Sequence, residues 1–109
     1  MLLLDDEEEL PSLPDEAEAR LVTQLGEKGL RDVDDVLGKS ARRGWLKVAR
    51  VVLDALKAGG FETSDDVFIH LHVRRVIALV ESGTLEAKGD LRRPRWSEVR
   101  LRATGFGSA

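Results

Sequence analysis

Cysteine is absent from this 109-residue chain, tyrosine is absent too, and there are only two histidines, one methionine and three prolines. Without a thiol there is no disulfide framework, no cysteine nucleophile and no cysteine-based zinc site. Two histidines also fall short of the three or four ligands that zinc usually takes. No segment approaches the roughly 20 apolar residues that span a bilayer. The opening Met1-Leu2-Leu3-Leu4 is too short for a signal h-region, and acid follows where a basic stretch should precede. The expectation is a cytoplasmic chain with no membrane contact, one small domain long and stabilised by packing alone.

Charge is abundant, at 34% of residues, and it is unevenly placed. Residues 1–38 hold 12 acids against 3 bases, whereas residues 39–109 hold 8 acids against 14 bases. The molecule is therefore dipolar, with an acidic front and a basic back. Asp5 to Glu9 are five consecutive acids that repel one another and bury nothing. Residues 1–11 are expected to form a flexible arm that passes transiently over the basic half. Residues 12–102 then form the domain, and 103–109 a frayed tail.

Within the domain the apolar spacing is mostly helical. Ser12 can cap a helix with Pro14 in its first turn and Asp15 and Glu16 at the positive end of its dipole. Ala17, Leu21, Val22 and Leu25 supply its buried stripe, and Gly26 stops it. A short second helix fits Leu30 to Gly38. Trp45 to Ala58 reads as a third, with Trp45, Val48, Ala49, Val52, Leu53 and Leu56 on one face. Thr63 and Asp66 can form a capping box for a helix over 64–82. Its core face carries Ile69, Val73, Val76, Ile77 and Val80, while His70 and Arg74 point outward with Leu71 and Arg75 beside them. Gly83 closes that helix. Alternating residues then predict strands near 84–89 and 96–102, joined by a turn that contains Pro94. The fold class is α+β and mostly α: a winged-helix-like domain of three or four helices followed by a C-terminal antiparallel β-hairpin.

The turn between those strands gathers Arg92, Arg93 and Arg95, with Trp96 immediately after. Arginines grip phosphates or carboxylates bidentately, and an exposed indole stacks on a base or anchors a protein contact. A solvated basic turn is the plain alternative. The candidate binding residues are His70, Leu71, Arg74, Arg75, Arg92, Arg93, Arg95 and Trp96.

Other chemistry finds little support. His70 and His72 would share a face on a strand, but on a helix they diverge by about 160° and cannot easily share an ion. Asp32, Asp34 and Asp35 suggest calcium, yet Val36 and Leu37 stand where an EF-hand loop needs an oxygen donor and a glycine. Ser40, Ser64, Ser82 and Ser97 lack a nucleophile-elbow context, no glycine-rich phosphate loop occurs, and no cofactor is implied.

From Trp45 onward the chain resembles a C-terminal bacterial family, domain of unknown function 3658. The likeness is carried by Arg75 to Gly83, by LEAKGDL at Leu85 to Leu91, and by SEVRL at Ser97 to Leu101. It covers mainly residues 45–101. Members often follow a partner domain that this sequence lacks, so a stand-alone version is expected. The resemblance implies an accessory or recognition role and transfers no catalytic residue. The leading expectation is a non-enzymatic module that binds a protein partner, for instance neutralising an enzyme or toxin. The first alternative is a DNA-binding regulator that uses helix 64–82 and the arginine-rich wing, and a small enzyme ranks well below both.

Overall fold

The computed structural model describes residues 8–102. The elements run α1 (Glu16–Ser40), β1 (Leu46–Lys47), α2 (Val48–Ala58), α3 (Asp66–Glu81), β2 (Leu85–Gly89) and β3 (Ser97–Leu101), with a 3-10 turn at Pro94–Trp96. Helices α2 and α3 pack against a three-stranded antiparallel sheet ordered β1-β3-β2, and α1 packs on α2 and α3. The fold is α+β, mostly α and winged-helix-like, as the pattern predicts. Among the described residues no helix is long and apolar enough to cross a membrane.

The helix boundaries follow local chemistry, with small shifts from expectation. Asp15, not Ser12, caps α1, its carboxylate accepting from the Glu18 amide at 2.8 Å. Asp65, not Thr63, caps α3, accepting from the Val67 amide at 3.0 Å. In both places the carboxylate competes well because it carries full charge at the positive end of the helix dipole.

The first two predicted helices form one element bent at Gly26, whose φ of 66° and ψ of −176° interrupt the helical path. That backbone region is open essentially to glycine alone. Beyond the bend, Val33 and Leu37 enter the core. Before it, the expected stripe is shallow: Ala17 is exposed, Leu21, Val22 and Leu25 are half-buried, and the buried residue is Glu18.

The predicted helix from Trp45 begins three residues late, because Leu46 and Lys47 pair with Val99 and Glu98 across the free edge of β3. That ladder turns the expected hairpin into a three-stranded sheet. It also moves Trp45 out of the helical core, and Lys88 Nζ and Arg100 Cζ each lie 4.5 Å from its ring centroid.

Val48, Val51, Val52, Ala55 and Leu56 of α2 and Ile69, Val73 and Val76 of α3 form the centre of the core, with Leu85 and Val99 from the sheet. Each such Val, Leu or Ile contributes about 1.5–3 kcal/mol by leaving water, an upper estimate against a fully extended unfolded chain. Across the sheet, Leu85 opposes Leu101 and Ala87 opposes Val99, so one face packs on the helices. The alternating Glu86, Lys88, Glu98 and Arg100 belong to the other face. Their carboxylates pair with the cations: Arg100 with Glu86 at 2.6 Å and Lys88 with Glu98 at 3.4 Å.

The flexible arm expected over residues 1–11 ends earlier, because Leu10 is 1% exposed and belongs to the core cluster. The domain therefore begins at least as early as Leu10. Residues 1–7 and the tail 103–109 lie outside the described residues.

Candidate functional site

The wing is the connection from Asp90 to Trp96. Asp90 shapes it twice: its carboxylate accepts from the Arg92 amide at 3.0 Å and its carbonyl from the Arg93 amide at 2.9 Å. The Trp96 amide and the Ser97 hydroxyl both donate to the Arg93 carbonyl, at 2.8 and 3.0 Å, and Pro94 is buried beneath. This is a fixed turn that aims its arginines in different directions.

Between the wing and α3 lies a strap without regular secondary structure, Glu9 to Ser12. The Leu10 amide donates to the Arg92 carbonyl at 2.7 Å. Arg92 returns two bonds, Nε and Nη2 to the Leu10 carbonyl at 3.0 and 2.8 Å, and a longer one from Nη2 to the Ser12 hydroxyl at 3.3 Å. From the other wall, Arg74 Nη2 donates to the Pro11 carbonyl at 2.7 Å, and Nη1 to the Ser12 carbonyl at 3.4 Å. Glu9 pairs with Arg93 at 3.2 Å and Arg92 at 3.6 Å. Two arginines from separate elements thus hold one short peptide by its carbonyls.

Arg74 and Arg75 are also tied to α1. Arg74 Nε donates to Glu18 Oε2 at 2.7 Å, with Glu18 2% exposed. Among the described residues Glu18 Oε1 has no hydrogen-bond partner, a cost on the order of 1–3 kcal/mol. Arg75 makes a bidentate pair with Asp34 at 2.9 and 2.8 Å. The hydrogen bond to Asp34 raises the Arg75 pKa further above its ordinary value, against a smaller opposing effect of burial.

The predicted site residues therefore separate. Arg74, Arg92 and Arg93 meet around the strap, while Arg75 is bound to α1. His70 is half-buried on α3. Leu71 does not face outward as expected: it is 1% exposed, because packing of neighbouring elements reaches beyond the face its own helix makes most apolar. Arg95, half-buried, and Trp96 follow in the 3-10 turn; Trp96 is 57% exposed, and Lys47 Nζ stands 5.9 Å from its ring centroid. His72 is buried, with Nδ1 2.8 Å from the Phe68 carbonyl and Phe61 edge-on at 5.1 Å.

Sequence reasoning missed Leu10, Pro11, Glu18 and Asp34 as partners of this site. Only the Leu10-Pro11 pair, an apolar residue and a proline closing an acidic run, marks the strap in the sequence. A cleft of about 380 Å³ remains open beside the strap, floored by Ile77 and Ala78 of α3. Chemically, the groove holds a short peptide segment by main-chain carbonyls, one apolar side chain and one carboxylate. No family model matches this chain, and no match is found among curated proteins or solved structures.

Proposed function

We propose that this chain is a non-enzymatic protein-interaction or accessory module, cytoplasmic, which acts by binding a protein partner through its winged-helix-like scaffold. One observation carries the reading: Arg74, Arg75, Arg92 and Arg93 are engaged by Glu18, Asp34, Glu9 and the strap carbonyls. A winged helix that binds DNA presents such cations to phosphates and its helix to the major groove. Here the groove between helix and wing already holds peptide. The face of α3 beside it, Ile77, Ala78 and Glu81, lines the open cleft and carries no base-reading fork.

The second reading is a DNA-binding regulator that uses α3 and the wing, favoured by the winged-helix-like layout and by Arg95 and Trp96 following the wing arginines. Titration of pooled duplex DNA between about 50 and 200 mM salt separates the two, since phosphate contacts make affinity fall steeply over that range. The protein-binding reading expects no such binding by the unaltered chain. Tight binding at low salt that is lost with salt, and removed by the joint Arg92→Ala, Arg93→Ala and Arg95→Ala substitution, moves the function to DNA.

A further inference from the structure

We propose that the groove between α3 and the wing is a peptide-recognition site, occupied in cis by the chain's own strap, and that a partner enters it with an extended segment of the same chemistry. That segment is an acidic residue, then leucine, then proline. The inference deepens the protein-binding reading and rests on it.

The way the strap is held resembles ligand binding more than folding. It forms no sheet ladder: its main-chain partners are the Arg92 carbonyl and the guanidinium groups of Arg92 and Arg74. Such contacts recognise a backbone carbonyl in the right place and are indifferent to which chain supplies it. Leu10 is the strap's one buried side chain; Glu9, Pro11 and Ser12 are exposed, as are Glu8 and Leu13 on either side. Each remaining feature selects one residue type. Leu10 is buried and joins the apolar core cluster, so its place takes an aliphatic anchor and rejects charge. The preceding position faces Arg92 and Arg93, so it favours a carboxylate. The following position gives its carbonyl to Arg74 and, being proline, has no amide left to satisfy and a φ fixed for extended chain. Three contacts of this kind define a short linear motif. The open cleft along Ile77 and Ala78 gives an incoming segment a path beside the strap.

A segment in cis competes at an effective concentration in the millimolar range, so a partner must out-compete it or be tethered nearby. This predicts a measurable difference. In the Leu10→Asp variant of the 109-residue chain the strap cannot bury its anchor, and the groove is freed. The probe is a fluorescent peptide with the sequence of Glu8 to Pro14, titrated by polarisation, with circular dichroism confirming the fold. The variant is expected to bind it at least about tenfold more tightly than the unaltered chain does, because the cis competitor is gone. The same peptide carrying Leu10→Asp should not bind.

A folded variant that ignores the peptide, or an unaltered chain that binds it equally well, overturns the proposal. So does a folded variant that gains duplex DNA binding in place of peptide binding. If Leu10→Asp unfolds, amide exchange in the unaltered chain decides. A detachable strap lets the Leu10 amide exchange at least about tenfold faster than those of Val73 and Val76, through local opening. Equal protection makes the strap part of the cooperative core and overturns the idea. Failure of these tests with DNA binding absent leaves the protein-binding reading intact on another surface, whereas DNA binding by the unaltered chain removes that reading itself.

Discussion

Substituting Gly89 by alanine tests the geometry of the wing directly. Gly89 ends β2 with a φ of 86°, opposite Ser97. A Cβ there would stand 2.5 Å from the Trp96 carbonyl oxygen and 3.0 Å from the Ser97 Cα. Both are main-chain atoms in the turn that the Arg93 carbonyl secures, so relief requires moving backbone. The left-handed φ costs an L-residue about 1–2 kcal/mol, and an overpacked contact adds about 1–3 kcal/mol. The expected loss is thus about 2–5 kcal/mol. Two other glycines calibrate it. Gly60 has a φ of 76° but open space within 4 Å, so Gly60→Ala should show the conformational part alone, about 1–2 kcal/mol. Gly38 lies within helical α1, also with nothing within 4 Å, so Gly38→Ala should stabilise by up to about 1 kcal/mol. Urea unfolding with a constant m-value ranks the three, and each kcal/mol also appears as about 4–8 °C in Tm for a domain of this size. If Gly89→Ala costs no more than Gly60→Ala, the turn moves freely and the fixed wing described above is wrong.

Two further outcomes concern titration and ion pairing. Burial pushes the His72 imidazole below its ordinary pKa of 6.5, outweighing the Phe68 carbonyl bond that raises it. The folded state then binds fewer protons than the unfolded one, so this contribution is intact above about pH 6.5 and lost as pH falls from there through the folded pKa. Urea midpoints from about pH 7.5 to pH 5 should fall, and His72→Gln should flatten the decline; an unchanged slope in the variant would assign it to carboxylates instead. For the Arg75–Asp34 pair, bidentate but partly exposed, a double-mutant cycle with Arg75→Leu and Asp34→Asn should give about 0.5–2 kcal/mol of coupling. A value near zero would make the pair incidental to holding α1 on α3.

The extent to which the sequence discloses this structure depends on how far apart the interacting residues lie. α3 and the two long strands are legible because period and punctuation agree within a short window: Ile69, Val73 and Val76 recur at helical spacing, Gly83 stops it, and Leu85 and Ala87 alternate after it. β1 is not legible. Two residues have no period, and their extended state is imposed by the Val99 and Glu98 edge of β3. Leu71 shows the limit of a helical wheel, which ranks faces by composition but does not say how much of the circumference neighbours will cover. The wing arginines were legible as a charged cluster, but their engagement was not. Leu10 sits in an acidic run that reads as solvated, and the Arg92 that captures it is 82 residues downstream.

The bend at Gly26 also uncouples the rotational phase of the two halves of α1. In an unbroken helix each added residue turns everything beyond it through 100°. Glu18 before the bend is held by Arg74, and Asp34 after it by Arg75, adjacent α3 residues whose side chains diverge by about that angle. A single helical register would have to serve both clamps at once; two registers joined at a non-helical residue need not. A length change at the bend can be absorbed there, whereas one placed between Glu27 and Val33 would swing Val33 and Leu37 away from α2 and α3. The segment bearing the most acid is thereby divided into two belts that grip the same helix from different sides.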